Sequence, residues 1–291
     1  MLGRVLALFG LSLISAQALA GAYEITDSFG KHWFEQVPER VVVTDWTILD
    51  NLLRLDVVPV GAPETARYRT LPDQPTLPAS VNDIGLRVAP SPARIRALAP
   101  DLIIIGTGQK ELARPLSHIA KVIYFKNFSD RYRTNGRKAR ERWLQMAAVF
   151  QKTAQAQATL QAMDQRMAEL AGALNPDQTV VLLQATPQGQ LRLFGDNSLP
   201  GHVLRTLGLT PGLIRPATRW GESPLTLDDL GALNITPQVL LFAPQSQHAQ
   251  WKSAIEKHDL SAHIQIQPRL WPYGGALSLL QIAERIRHAL R

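Results

Sequence analysis

The sequence predicts an α/β protein of two lobes, each with a mainly parallel sheet flanked by helices, bridged by one long α-helix. Three observations carry that expectation. Short apolar runs such as Leu102–Ile105 and Val239–Phe242 lack the alternation of half-exposed strands and are spaced by helical stretches, the pattern of parallel sheets covered on both faces. From Arg137 to Ala171 the chain holds no glycine or proline, and a helix over that stretch spans roughly 50 Å. The same strand–helix plan lies on either side of it, dividing the chain into residues 21–136, an interlobe helix over 137–174, and residues 175–291.

Residues 1–20 stand apart from the fold. A lone basic Arg4, an apolar run from Val5 to Ile14 and small residues in Ala18-Leu19-Ala20 read as a secretory signal peptide. Its apolar run is too short to span a bilayer. The N-terminal lobe then reads as strands Val41–Thr44, Val57–Val60, Leu102–Ile105 and Val122–Phe125. Helices are expected over Trp46–Leu55, Ser91–Leu98 with Pro92 in its first turn, and Glu111–Ile119. Ligands of open parallel sheets sit beyond the carboxyl ends of the strands, which puts Trp46, Gly61 onward and Gly106–Gln109 on one rim.

In the interlobe stretch, Trp143, Ala147 and Phe150, then Leu160, Met163, Met167, Leu170 and Leu174, recur at three- and four-residue spacing and define one apolar face. The C-terminal lobe begins with a strand at Thr179–Leu183, and Leu191–Phe194 alternates like the arm of a hairpin. A helix over Leu199–Leu207 precedes a loop carrying Arg219 and Trp220. Thr226 caps a short helix over Leu227–Leu233, with Asp228 and Asp229 in its first turn where the helix dipole favours acids. Strands Val239–Phe242 and Ile264–Gln267 flank a helix over Ala249–Lys257, and the loop Trp271-Pro272-Tyr273-Gly274-Gly275 leads into a closing amphipathic helix.

Composition narrows the class. The 291 residues are 45% hydrophobic and 19% charged, ordinary for a globular protein, and include no cysteine. An exported chain of this size reaches stability from its core without disulfides. The absence of cysteine also excludes a lipid-modified cysteine after the signal, so the periplasm is the expected compartment. Without residues 1–20 the chain has 30 basic residues against 24 acidic ones, a formal charge of +6. Basic residues gather at Arg131, Arg133, Arg137, Lys138, Arg140 and Arg142; the export signal argues for a solvated helix face there and against nucleic acid.

Enzyme signatures are missing. Gly106-Thr107-Gly108 lacks the third glycine of a dinucleotide site, and neither a phosphate-binding loop nor a Gly-x-Ser-x-Gly elbow occurs. The seven histidines show no helical pairing with a carboxylate that would mark a metal site. No catalytic residue, resident cofactor or protein metal ligand is expected.

What remains resembles a known family. Thr65, Tyr68 and Arg69, then Leu77-Pro78, Asp83-Ile84-Gly85-Leu86-Arg87 and Pro100–Ile105, are similar to the N-terminal lobe of the periplasmic binding proteins that feed iron-siderophore and vitamin B12 ABC importers. Asn127-Phe128-Ser129-Asp130 and Trp271-x-Tyr273-Gly274 resemble the ferric hydroxamate (ferrichrome-type) branch. The resemblance implies two α/β lobes bridged by a long helix. It also implies a ferric siderophore held in the cleft with no protein ligand to iron, and delivery by a monomer to an inner-membrane ABC permease with its cytoplasmic ATPase. Haem, vitamin B12 or a catecholate or citrate chelate is the alternative cargo on the same fold; an exported metal-binding protein or hydrolase is the alternative class.

Carried residue by residue, the resemblance places Arg87 on the hydroxamate oxygens, a sound match of a guanidinium fork to partly negative oxygens. Trp46, Trp220, Trp271 and Tyr273 take the positions that wall the cleft, with Tyr68 and Arg69 beside them. Gln109 stands where the hydroxamate binder has a tyrosine, and Leu71 near one of its tryptophans. Arg67 and Arg69 add positive charge suited to a citrate-hydroxamate or other anionic chelate. Permease docking is expected through an acid on each lobe, Glu111 and Asp228.

Overall fold

The computed structural model describes residues 21–132, 134–176, 178–232 and 237–291. The expected signal peptide lies outside the described residues, as does Leu233, the expected end of one helix. The first lobe holds a five-stranded sheet in the order Asn82–Asp83, Gly61–Ala62, Val41–Val43, Leu102–Ile105, Lys121–Tyr124. Every neighbouring pair in it is parallel, with Val42 opposite Ile103 and Ile103 opposite Val122. A hairpin of Tyr23–Thr26 and Lys31–Phe34, unforeseen in the sequence, precedes it.

The strand expected at Val57–Val60 forms instead at Gly61–Ala62. Asp56 turns the chain at φ 54° and the Val57 N–H goes back to Leu52 O at 2.9 Å, so these residues close the preceding helix. Gly61 then reaches the sheet beneath Leu98 and Ile84, where a Cβ would collide with both side chains. The expected helix over Glu111–Ile119 shortens to a 3₁₀ turn at Lys110–Leu112 and one helical turn at Ala113–Leu116. Ser91 caps Pro92–Ala97, accepting from the Arg94 N–H at 3.4 Å.

The stretch read as one helix from Arg137 to Ala171 is two helices, Asn135–Val149 and Thr153–Gly172. Gln151 takes the left-handed conformation, φ 54°, the Lys152 N–H reaches Ala147 O at 2.8 Å and the Gln151 N–H reaches Ala148 O at 3.2 Å. That is the hydrogen-bond pattern of a Schellman stop, seated here on a glutamine where glycine is usual, so no glycine or proline marks it in the sequence. The second helix folds back along the first. Arg140 grips Asp164 with two bonds of 2.6 and 2.7 Å, and the Trp143 indole donates to Ala156 O at 3.1 Å. In one straight helix Arg140 and Asp164 would lie roughly 36 Å apart. The long helix of the connection is thus Thr153–Gly172, and its expected face (Leu160, Met163, Met167, Leu170) is buried.

The second lobe carries a six-stranded mixed sheet. Its main path runs Glu222–Leu225, Leu191–Phe194, Thr179–Ala185, Gln238–Ala243, Ile264–Pro268, and Thr210–Pro211 also pairs with the central strand. The last three of the main path are parallel; Leu191–Phe194 forms the expected antiparallel arm, continued by Glu222–Leu225, which the sequence hid as a loop. Thr226 and Asp229 form a reciprocal capping box at the start of the helix Leu227–Gly231.

The lobes share one core. A single apolar cluster joins Trp46, Leu49 and Leu52 of the first lobe to Trp143 and Met146 of the connection and to Phe194, Leu240, Ile282 and Ile286 of the second. Beside it, the Gly275 N–H donates to Asp50 Oδ2 at 2.7 Å and the Ala276 N–H to Asn51 Oδ1 at 3.1 Å, so the loop ahead of the closing helix Ser278–Ala289 is bonded to the first lobe. Only glycine fits at 275, since a Cβ would run into both acceptor side chains. Among the described residues no helix is long and apolar enough to cross a membrane.

Candidate functional site

A cavity of about 380 Å³ opens between the lobes at the carboxyl end of the first sheet. From the first lobe it is lined by Asp45, Trp46, Thr47, Arg67 and Arg87; from the second, by residues that include Gln184, Arg192, Trp220, Glu222, Arg269, Trp271 and Tyr273. Asp45 ends the strand-to-helix turn after Val41–Val43, where its carboxylate accepts from the N–H groups of Thr47 at 2.8 Å and Ile48 at 3.2 Å. This cap starts the helix Trp46–Arg54 at the rim and brings Trp46 to the cavity wall.

Trp46 is only 1% exposed. Its indole donates to Pro63 O at 2.9 Å, and Arg87 lies over its face with the guanidinium carbon 3.6 Å from the ring centroid. Arg87 Nε donates to Glu64 Oε2 at 2.6 Å. Burial disfavours the Glu64 charge, but the hydrogen bond and the charge of Arg87 outweigh it and hold the carboxyl below its ordinary range. Trp46 is therefore a floor under Arg87, and Arg87 is the group presented to the cavity.

Aromatic rings continue across the interlobe boundary. Trp271 meets Trp46 edge-on at 5.5 Å between centroids, Tyr273 meets Trp271 at 5.2 Å, and Trp220 meets Tyr273 at 5.9 Å. Trp220 is 41% exposed and is backed by Phe128 of the Asn-Phe-Ser-Asp stretch at 5.4 Å. Its loop is pinned by Asn197, whose amide donates to Thr218 O at 2.7 Å and Ser129 O at 3.3 Å. Gly221 follows at φ +76°, with Ser198 so close that a side chain there would collide.

Of the residues expected at the site, the structure gathers Arg87, Trp46, Trp220, Trp271 and Tyr273 around one cavity and leaves three off its lining. Tyr68 is buried behind Trp46, 6.0 Å away edge-on. Arg69 points to the surface and donates to Pro78 O at 3.2 Å. Gln109 has no hydrogen-bonding capacity left for a ligand. Its Oε1 accepts from Thr44 Oγ1 at 2.6 Å and the Gly106 N–H at 2.8 Å, and its Nε2 donates to Thr44 O and Arg87 O, both at 2.8 Å. It staples the Arg87 backbone to the rim. Glu111 and Asp228 lie exposed away from the cavity, Asp228 at 3.4 Å from His258 Nε2.

Several lining groups escaped the sequence reading. Arg192 is the polar member of the Leu191–Phe194 alternation, Glu222 begins a strand read as loop, and Arg269 lies between Pro268 and Trp271. Arg192 alone carried a signal, a charged residue inside an apolar run. Burial pushes the Glu222 carboxyl up, against the opposing influence of the Tyr273 hydroxyl and Arg192, and burial likewise pushes up the Asp45 carboxyl. Among the described residues, Gln184 Oε1, Glu222 Oε1 and Trp271 Nε1 are buried without a partner, so the second-lobe wall offers unspent polar atoms. No group of three or more His, Cys, Asp or Glu among the described residues is placed to hold a metal ion.

The sequence from residue 41 to residue 265 matches a family profile described as periplasmic binding protein. The chain belongs to that family. FecB, the Fe(3+) dicitrate-binding periplasmic protein of Escherichia coli (strain K12), is 31% identical over 240 residues, covering 80% of this binding protein and 75% of FecB. FhuD of the same strain, an iron(3+)-hydroxamate-binding protein, is 26% identical over 296 residues, covering 97% and 98%. The crystal structure of FhuD from Vibrio cholerae, a siderophore-binding protein with Fe3+-Desferal bound, superposes with a TM-score of 0.81 at 34% identity, covering 87% of this chain and 97% of that one.

Proposed function

We propose that this chain binds a ferric siderophore of hydroxamate type in the interlobe cavity and delivers it to an inner-membrane ABC permease driven by a cytoplasmic ATPase. It works in the periplasm as a monomer and performs no reaction, because the iron arrives and leaves inside its chelate. The observation that carries this reading is Arg87, held by Glu64 over Trp46 at the mouth of an aromatic cavity. With Nε engaged, its terminal nitrogens are left for the partly negative oxygens around Fe(III). Trp220, Trp271 and Tyr273 supply rigid apolar walls for a bulky chelate at small entropy cost. Gln109, by fixing the Arg87 carbonyl, positions that arginine and touches no ligand.

Glu111 and Asp228, exposed and one on each lobe, are the acids we assign to permease docking. Support comes also from the relatives named above, whose ligands are ferric chelates. Titrating the purified protein with ferric hydroxamates while following tryptophan fluorescence tests the reading. Saturable quenching is expected, because three tryptophans border the cavity. A flat response to every hydroxamate complex would overturn it.

A further inference from the structure

The cavity lining is unbalanced in charge. Arg67, Arg87, Arg192 and Arg269 face it, against Asp45 and Glu222 alone. Neither acid neutralises an arginine well: Asp45 spends its carboxylate on the cap of the helix Trp46–Arg54, and burial favours the uncharged form of Glu222. Glu64, outside the lining, answers Arg87 at 2.6 Å and Arg67 less closely at 3.3 Å. Arg269 has no hydrogen-bond or ion-pair partner among the described residues. It is half-buried, and burial together with the like charge of Arg67 works against its proton. Two guanidiniums, one from each lobe, therefore border the same cavity, Arg67 sharing Glu64 with Arg87 and Arg269 meeting no carboxylate among the described residues.

Resting on the reading of this cavity as a ferric-chelate site, we propose that the cognate chelate carries a free carboxylate, seated between Arg67 of the first lobe and Arg269 of the second. A carboxylate there accepts charge-assisted bonds from both forks, relieves their repulsion and gives Arg269 the partner it lacks. A neutral trihydroxamate offers Arg87 its iron-bound oxygens but leaves Arg67 and Arg269 opposed. Because the two arginines come from different lobes, the carboxylate also links the lobes directly. Charge selection is thus assigned to Arg67 and Arg269, and recognition of the iron-bound oxygens to Arg87.

Two probes separate these roles: a ferric citrate-dihydroxamate with a free carboxylate, and an uncharged ferric trihydroxamate, each titrated by tryptophan fluorescence. The wild-type protein is expected to bind the carboxylate chelate about tenfold tighter or more, the scale of a charge-assisted pair. Arg269→Gln should reduce that preference about tenfold, and Arg269→Lys should keep most of it. Rising salt should weaken the carboxylate chelate more than the neutral one. Equal or tighter wild-type binding of the neutral chelate overturns the proposal while leaving the siderophore reading intact, as does an Arg269→Gln variant that weakens both chelates alike with an unchanged melting temperature. Binding of neither chelate by the wild type defeats both readings together.

Discussion

The guanidinium of Arg87 lies 3.6 Å from the centroid of the Trp46 ring, with its Nε held by Glu64 at 2.6 Å. Stacking and the ion pair together leave the fork little freedom, so its terminal nitrogens are presented before a ligand arrives. Such preorganisation lowers the entropy lost on binding. Arg87→Ala should weaken a ferric hydroxamate about tenfold to a hundredfold, the range for hydrogen bonds to charged groups. Arg87→Lys should recover little of this, since a point charge cannot reproduce the planar fork. Fluorescence titration checks both, and unchanged affinity in Arg87→Ala removes the residue from the site.

Gln109 acts through Arg87. Replacing it by alanine orphans the Gly106 N–H and frees the Arg87 carbonyl. Gln109→Ala should cost ~1–3 kcal/mol of stability, as buried polar groups lose their partners, and lower chelate affinity several-fold. Chemical denaturation and titration of the same sample separate the two effects. If affinity is untouched while stability falls, its amide matters to the fold alone.

The bond between Asp50 and the Gly275 N–H spans the two lobes. Asp50 is fully buried, and its other oxygen accepts from Arg54 Nε at 2.9 Å. Asp50→Ala leaves a half-buried arginine and a buried N–H without their acceptor, and should destabilise the protein by about 3–5 kcal/mol. Urea unfolding measures this. Asp50→Asn, which keeps an acceptor but removes the charge, should fall between the two.

His202 links stability to pH. Burial, with Arg205, Arg140 and Arg137 nearby, lowers its pKa to about 4 from the ordinary 6.5. The folded protein then holds His202 neutral while the unfolded chain takes up a proton. Its contribution is fully present above pH 6.5 and is lost as pH falls from 6.5 towards 4, amounting to ~3 kcal/mol at most. His202→Gln should flatten the pH dependence of the unfolding free energy in that window. A variant whose profile still parallels the wild type there contradicts the assignment.

The local chemistry of this chain is readable residue by residue. Thr226 with Asp229, Ser91 with Pro92, and the apolar runs at Leu102–Ile105 and Val239–Phe242 act within a few residues of themselves, so propensity and spacing suffice to place them. The aromatic walls were legible for other reasons: Trp46 follows a strand end, where the rim of a parallel sheet must lie, and Trp220, Trp271 and Tyr273 came from the family resemblance.

Elsewhere, contacts between distant residues decided the outcome. Gln151 adopts a left-handed stop because Trp143 reaches Ala156 and Arg140 reaches Asp164 once the helices fold together. Gln109 changed from a ligand candidate to a staple because Thr44 lies 65 positions away in sequence and 2.6 Å away in space. Sequence by itself determined the two-lobed α/β plan, the caps and the kinds of residue available to the cleft. Tertiary structure alone decided which of them face the cavity and set Arg67 against Arg269, because burial, pairing and charge repulsion depend on distances that no local pattern encodes.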